Sequence, residues 1–345
     1  MTEVEIEMHL KPTRWRRIRL LTAFLLAIAI AVPTLGAATT ATAATPTLPC
    51  DIYAAGGTPC EAAYSTTRAL FASYDGPLYE IQRASDDSSL NIGLESTGGV
   101  ANSAPQASFC AGTTCTITEI YDQTANGNNM PISQGTGYRI DDAKNVPTGS
   151  DPEGVYMLTS SNVTSGGCCF DFGSAEANDS DDGNATMNAI YYGTDCWTQN
   201  CSGTGPWVGG DLENGMYFSN TGANPTSIPS EDGTFVSAWE KNNGTTNFTL
   251  KYGNGQEGGL TESYSGALPS GYDPMKVQNS IELGTGGDNS IWGDGEFFEG
   301  AVTSGYPSDA TENAVQASLV SAGYTFGVPA GDKPFGGSAD RKSVV

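Results

Sequence analysis

The chain has 345 residues, with 39 acidic against 15 basic side chains and a single histidine. A net charge of −24 supplies no basic footprint for phosphate binding, so nucleic acid is excluded as an expected partner. With 44 glycines, 18 prolines and only 16% charged residues, the chain reads as short strands joined by turns rather than as a helical protein.

Taken in chain order, the first element is a leader. Lys11, Arg14, Arg16, Arg17 and Arg19 precede an apolar run from Leu20 to Val32, and small residues around Ala41-Thr42-Ala43 follow, as in a secretory signal peptide spanning 1–43. The run is shorter than the ~20 residues needed to cross a bilayer, so the mature form is expected to be extracellular and free of membrane. Removal of the leader takes away His9, the only histidine, and leaves ten basic residues against thirty-six acidic ones. Without histidine there is no Ser-His-Asp triad, no Cys-His pair and no His-bound zinc. A hydrolase built from this chain must therefore work with carboxylates.

Ser65 reads as the N-cap of a short helix carrying Ala69, Leu70 and Phe71, stopped at Asp75-Gly76-Pro77. Period-two segments follow at 116–121, 189–192, 235–239, 248–252, 280–283 and 296–302, each bounded by turn residues. They predict an all-β, concanavalin-like or jelly-roll sandwich over 48–325, with two short peripheral helices. The second helix begins at Ser308-Asp309, buries Ala314, Val315, Ala317, Leu319 and Val320, and ends at Gly323. Residues 327–345 lose periodicity and read as a flexible tail or linker stub. Six sequons, at Asn162, Asn178, Asn184, Asn200, Asn243 and Asn247, mark exposed turns. The acidic run Asn178 to Asn184 misses the calcium-loop spacing by one residue and reads as a solvated turn.

The eight cysteines form four local groups: Cys50 with Cys60, Cys110 with Cys115, Cys168 with Cys169, and Cys196 with Cys201. Disulfides fit an even count outside the cell, whereas metal ligation would want Cys-x-x-Cys pairs or histidines. Spacing does not fix connectivity, but if the other six pair locally, the adjacent Cys168 and Cys169 have only each other.

Two glycine-rich stretches hold the most constrained carboxylates. In Gly205 to Gly215, a strand would point Asp211 and Glu213 to the same face, and crowded like charges raise one partner's proton affinity. In Gly284 to Ser290, Asp288 follows a glycine pair that lets a ligand approach the backbone. Acids flanked by glycine are also ordinary turn residues, so pattern alone leaves both stretches open.

The stretches 49–60, Gly167-Cys-Cys-Phe-Asp-Phe-Gly173, Asp211-Leu-Glu-Asn-Gly215, Gly286-Gly-Asp-Asn-Ser290 and 305–316 together resemble the catalytic domain of glycoside hydrolase family 54, the type B α-L-arabinofuranosidases. The resemblance covers nearly the whole span from Leu48 to Tyr324. It implies Glu213 as nucleophile and Asp288 as general acid/base, the first ionised and the second protonated at the outset. It implies that Asp211 and Asn214 hold sugar hydroxyls and that Gly287, Asn289 and Trp197 line the site. It also implies a vicinal Cys168–Cys169 disulfide as a rigid apolar wall for the arabinofuranose. No metal or organic cofactor is implied, and the partners are arabinose-containing polysaccharides and oligosaccharides met by a monomer.

Three departures from the family stand out. Its members carry some tens of additional residues between Asn129-Met130 and Gly135, which could leave sheet edges exposed here. Cys196 and Cys201 are an addition, expected to tighten the loop around Trp197. Many relatives continue into an arabinose-binding β-trefoil, which this chain does not show. The competing expectations are a non-catalytic carbohydrate-binding sandwich inactivated by the shortened 130–135 region and, more remotely, an acidic surface or cell-wall structural protein.

Overall fold

Alternating apolar and polar residues between glycine-rich turns become sixteen strands among the described residues, which in this computed structural model are 47–135, 137–196, 203–221 and 230–326. They belong to the unit Thr45–Val345, and residues 1–43, read above as a leader, lie outside the described residues. In order, the elements are α1 (Pro49–Ala55), β1 (Cys60–Ser65), β2 (Tyr79–Arg83), β3 (Ser89–Ile92), α2 (Ser103–Phe109), β4 (Cys115–Ile120) and β5 (Met130–Pro131). Next come β6 (Tyr138–Ile140), β7 (Glu153–Thr159), β8 (Asp171–Ala175), β9 (Asn188–Gly193), β10 (Trp207–Asp211) and β11 (Met216–Tyr217). The last are β12 (Val236–Asn242), β13 (Phe248–Asn254), β14 (Glu257–Gly266), β15 (Ser280–Leu283), β16 (Phe297–Ser304) and α3 (Asp309–Ala322).

Two six-stranded antiparallel sheets, ordered β1-β16-β7-β12-β13-β14 and β11-β10-β9-β8-β15-β6, form the sandwich, and β3-β2-β4-β5 makes a third, smaller sheet. Period-two geometry explains why β7 is buried on both faces. Val155 and Met157 enter the core between the sheets with Phe172, Ile190, Val208 and Ile281. Tyr156 and Leu158 face the other way, into a second core with Trp239, Phe298, Val315 and Leu319 beneath α1 and α3. The all-β sandwich expected from the sequence is thus the observed fold, and all six period-two segments fall on strands.

The helix expected at Ser308-Asp309 forms as α3: Ser308 Oγ accepts from the Thr311 N–H at 3.1 Å, and Gly323 closes the helix at φ +67°. The helix expected after Ser65 does not form. Ser65 ends β1, its Oγ accepts from the Thr67 and Arg68 N–H groups, and the next donors go to distant partners: Ala69 N to Gly99 O at 2.9 Å, Leu70 N to Gln123 Oε1 at 2.7 Å. A local cap-like signal is therefore outcompeted by tertiary acceptors. The other helices, α1 and α2, are each tied to a neighbouring strand, by Cys50–Cys60 to β1 and by Cys110–Cys115 to β4. Trp197, Asn200 and Cys201 lie outside the described residues, and with them the expected Cys196–Cys201 pair.

The shortened region forms a compact connection. β5 pairs with β4, β6 pairs with β15, Ile132 bridges to Tyr138, and Ser133 N donates to Gly137 O at 2.8 Å. Met130 and Tyr138 are buried at its two ends.

Candidate active site

The Asp211 stretch depends on closely packed glycines. A Cβ on Gly209 would lie 2.8 Å from the Phe218 ring, and one on Gly210 3.1 Å from the Glu240 carboxylate, so β10 can lie against both only without side chains there. The strand ends at Asp211 and the chain turns. Glu213 and Asn214 both take left-handed backbone conformations, at φ +67° and +55°, which cost of order 1–3 kcal/mol each for residues with a Cβ. The expected route by strand alternation is thus corrected: a turn, not a pleat, brings Glu213 beside Asp211. Asp211 Oδ1 accepts from the Glu213 N–H at 3.2 Å, and Tyr272 Oη donates to Glu213 O at 2.8 Å, fixing the turn from two sides.

The second stretch follows β15. Asn289 N donates to Gly286 O at 2.7 Å and Gly286 N to Ile291 O at 2.8 Å, so the loop folds on itself and carries a half-buried Asp288 whose Oδ1 accepts from Ser290 N at 3.0 Å. A Cβ on Gly287 would sit 2.3 Å from Glu176 Oε2 and 2.6 Å from Glu213 Oε2. Glycine at 287 is what allows this loop to close over the Glu213 carboxyl.

Both stretches open into one cavity of about 540 Å³, whose lining includes Asp211, Glu213, Asn214, Gly287 and Asp288. Cys168 and Cys169, joined to each other by a disulfide, form part of its wall, with Cys168 Sγ 3.9 Å from Asp211 Oδ2. Asn289 is used differently from the expectation. It is buried, its Oδ1 accepts from Ser133 at 2.9 Å, and its Nδ2 donates to Asp179 at 3.1 Å, so it braces the loop rather than lining the cavity.

Several contributors were not anticipated. The acidic run 178–184, read as a solvated turn, instead supplies Asp181 to the cavity, where its Oδ1 accepts from Asn214 Nδ2 at 2.8 Å. Arg139 of β6 donates to the carbonyls of Gly287, at 2.6 Å, and of Glu176, joining the two sides of the site through their backbones. Glu176 is fully buried: its Oε1 accepts from Thr186 at 2.7 Å, while Oε2 faces no donor. The scarcity of basic residues was the only signal that could have pointed to Arg139. Nothing local distinguishes Glu176.

Carboxylates dominate the electrostatics. Burial and the neighbouring Glu176 and Asp211 push Glu213 up, to about 9. Burial also raises Asp211, to about 7, against the pull of the Glu213 N–H and with help from Glu176 and Asp288. Behind them Asp171, Glu240 and Glu282 are raised chiefly by complete burial, and the carboxyl oxygens of Asp171 and Glu240 have no hydrogen-bond partner. Glu176, Asp181 and Glu213 bring carboxylate oxygens within 4.8 Å of one another. Such crowding asks for positive charge, and a shared proton is its smallest form. The cysteines beside Asp171 and Asp211 are spent on their disulfide and supply no thiolate for a metal. The raised Glu213 runs against the simple expectation of an ionised nucleophile standing alone.

Comparison with known proteins shows the family. The family model for the catalytic region of α-L-arabinofuranosidase B matches in two overlapping pieces, residues 49–135 and 130–325, which meet at the shortened connection. The chain is 45% identical over 315 residues to a probable α-L-arabinofuranosidase B of Aspergillus terreus, an alignment covering 80% of this chain and 62% of that protein. It is 44% identical over 316 residues to α-L-arabinofuranosidase B of Emericella nidulans, with the same coverage. Two solved structures, a mutant glycoside hydrolase family 54 α-L-arabinofuranosidase soaked with 4-nitrophenyl α-L-arabinofuranoside and an arabinofuranosidase complexed with arabinofuranosyl-α-1,2-xylobiose, each superimpose with a TM-score of 0.78 at 40% identity. Each superposition covers 81% of this chain and 66% of the other, so the chain spans about two thirds of the length of the relatives it matches. With matches running from residue 49 to 325, the chain belongs to the α-L-arabinofuranosidase B catalytic family, glycoside hydrolase family 54.

Proposed function

We propose that this chain is a secreted, retaining α-L-arabinofuranosidase that releases terminal arabinofuranosyl residues from plant cell-wall polysaccharides such as arabinoxylan and arabinan. The observation that carries this reading is the convergence of Glu213 and Asp288, 75 positions apart in sequence, on one cavity beside the Cys168–Cys169 disulfide. The complex of a related enzyme with arabinofuranosyl-α-1,2-xylobiose supports a branched substrate of this kind.

In this scheme the furanose rests on the disulfide, and Asp211 and Asn214 accept and donate to its hydroxyls. Glu213 attacks the anomeric carbon while Asp288 protonates the departing glycosidic oxygen. Asp288 then takes a proton from water, which displaces Glu213 and restores the starting configuration. The scheme asks for no metal or organic cofactor. It does require Glu213 to be ionised, which the neighbouring Glu176 and Asp211 oppose: Glu213 and Glu176 share one proton, and Glu213 must yield its share before it attacks. Two carboxylates cannot hydrogen-bond without that proton.

The test is turnover of 4-nitrophenyl α-L-arabinofuranoside by the purified chain. Glu213→Ala and Asp288→Ala are each expected to lower kcat by about 10²-fold or more at unchanged fold. Wild-type-like turnover in either variant would defeat the assignment. Sugar binding without nitrophenol release by the wild type would favour a binding module.

A further inference from the structure

Resting on this reading, the position of the general acid says where the rest of the substrate lies. Asp288 protonates the glycosidic oxygen, so the sugar carrying the arabinofuranosyl branch must lie on the Asp288 side of the cavity. The residues that follow Asp288 are Ser290 and Ile291, both on the cavity lining, and then Trp292. Ile291 is 52% exposed and Trp292 48%, and with Ile132, at 40%, they are the large hydrophobic side chains most open to solvent among the described residues.

The segments that carry these side chains adjoin. The 132–135 turn meets the Asp288 loop through the hydrogen bond from Ser133 to Asn289. A Cβ on Gly135 would lie 2.4 Å from the Trp292 ring, so the glycine backbone packs against the indole and limits its movement. Trp292 is also held by its backbone bridge to Thr285. An indole fixed on one side and open on the other, at the edge of a sugar-sized cavity, is a stacking surface. Apolar exposure of this kind on a rim commonly marks a binding contact.

We propose that Trp292, flanked by Ile291 and Ile132, is the platform on which the backbone sugar bearing the arabinofuranosyl branch stacks, and that this sugar is a xylopyranose. Its equatorial hydroxyls leave two flat faces of C–H groups that match an indole face. The shortened 130–135 connection bears directly on this surface, since it supplies Ile132 and the Gly135 backbone beneath the ring. Binding energy collected there, remote from the bond that breaks, would hold the glycosidic oxygen against Asp288.

The experiment compares two substrates in the full chain: arabinofuranosyl-α-1,2-xylobiose, and methyl α-L-arabinofuranoside, whose methyl group is too small to reach Trp292. Trp292→Ala is expected to lower kcat/KM on the xylobiose conjugate about tenfold, chiefly through KM, and on the methyl glycoside no more than about threefold. Trp292→Phe is expected to recover most of the loss. Equal losses on both substrates, or no loss on the conjugate, would overturn the proposal. So would kinetics unchanged by Trp292→Ala together with loss of self-association, which would make the rim a contact between copies of the chain. A wild type active on both substrates but insensitive to Trp292→Ala sinks only the platform. A wild type inert on both sinks the hydrolase reading and the platform with it.

Discussion

The molecule buries acids in two contrasting ways. Beneath α3 and beside β1 each buried acid has a cation: Glu312, with the exposed Asp309 beside it, meets Lys241 and Lys251 at 2.6–2.9 Å, and the fully buried Glu299 is chelated by Arg68. The two lysines hold Asp309 down, to about 2. In and behind the cavity, Asp171, Glu176, Asp211, Glu213 and Glu240 are buried with no lysine or arginine on their carboxyl groups, and burial raises them all. Paired acids serve the fold. Unpaired acids, costly to keep, gather in and behind the cavity.

The contrast breaks most visibly at Arg68. Arg68→Ala strands a buried carboxylate and is expected to cost about 3–5 kcal/mol in denaturant unfolding. Glu240→Gln, which removes an unpaired charge, is expected to be neutral or stabilising in the same measurement. Comparable losses in the two variants would erase the distinction.

The pH dependence of stability sharpens it. Buried Glu153 is raised to about 8, by desolvation against the pull of Ser174 and Asn188, and Asp211 to about 7. A carboxyl raised on folding makes the native state bind more protons than the unfolded chain, so stability falls as pH rises from the ordinary carboxylate range toward these values. Asp309 acts in the opposite sense, losing its contribution as pH falls through the ordinary range toward 2. The melting temperature is therefore expected to peak near pH 4–5 and decline toward pH 8, with up to about 1.4 kcal/mol lost per pH unit for each raised group. Glu153→Gln should flatten the decline. A melting temperature that climbs from pH 5 to pH 8 would contradict the unpaired state of these acids.

The smallest expected effect concerns Glu176. Glu176→Ala removes a neighbouring carboxyl that raises Glu213, while burial, Asp211 and Asp181 remain, so the acid limb of kcat/KM is expected to move to lower pH. Glu176→Gln removes the same charge and offers an amide donor to the ionised Glu213, so its limb should move down at least as far, with a few-fold loss of kcat. The other charges facing the pair, Asp181, Asp211, Asp288 and the more distant Glu282 with Arg139, are common to all three proteins, which isolates the Glu176 carboxyl as the variable. An identical limb in the Ala variant would remove Glu176 from the mechanism.

The sequence by itself determined the features that depend on neighbours along the chain. Period-two alternation placed β9, β12, β13 and β15, and the Ser308 cap with Gly323 delimited α3, because pleat and cap are geometries of adjacent residues. Local cysteine spacing anticipated three disulfides, and the absence of histidine beyond His9 turned the reading toward carboxylates. Only the tertiary structure decided which acids matter. Glu176 reaches Glu213 across 37 positions, Arg139 reaches Gly287 across 148, and the donors after Ser65 choose distant acceptors over a helix, Thr66 N the carbonyl of Phe298 and Leu70 N the side chain of Gln123. Burial and the scarcity of nearby cations set proton affinity, and both are properties of how sheets stack rather than of any local pattern.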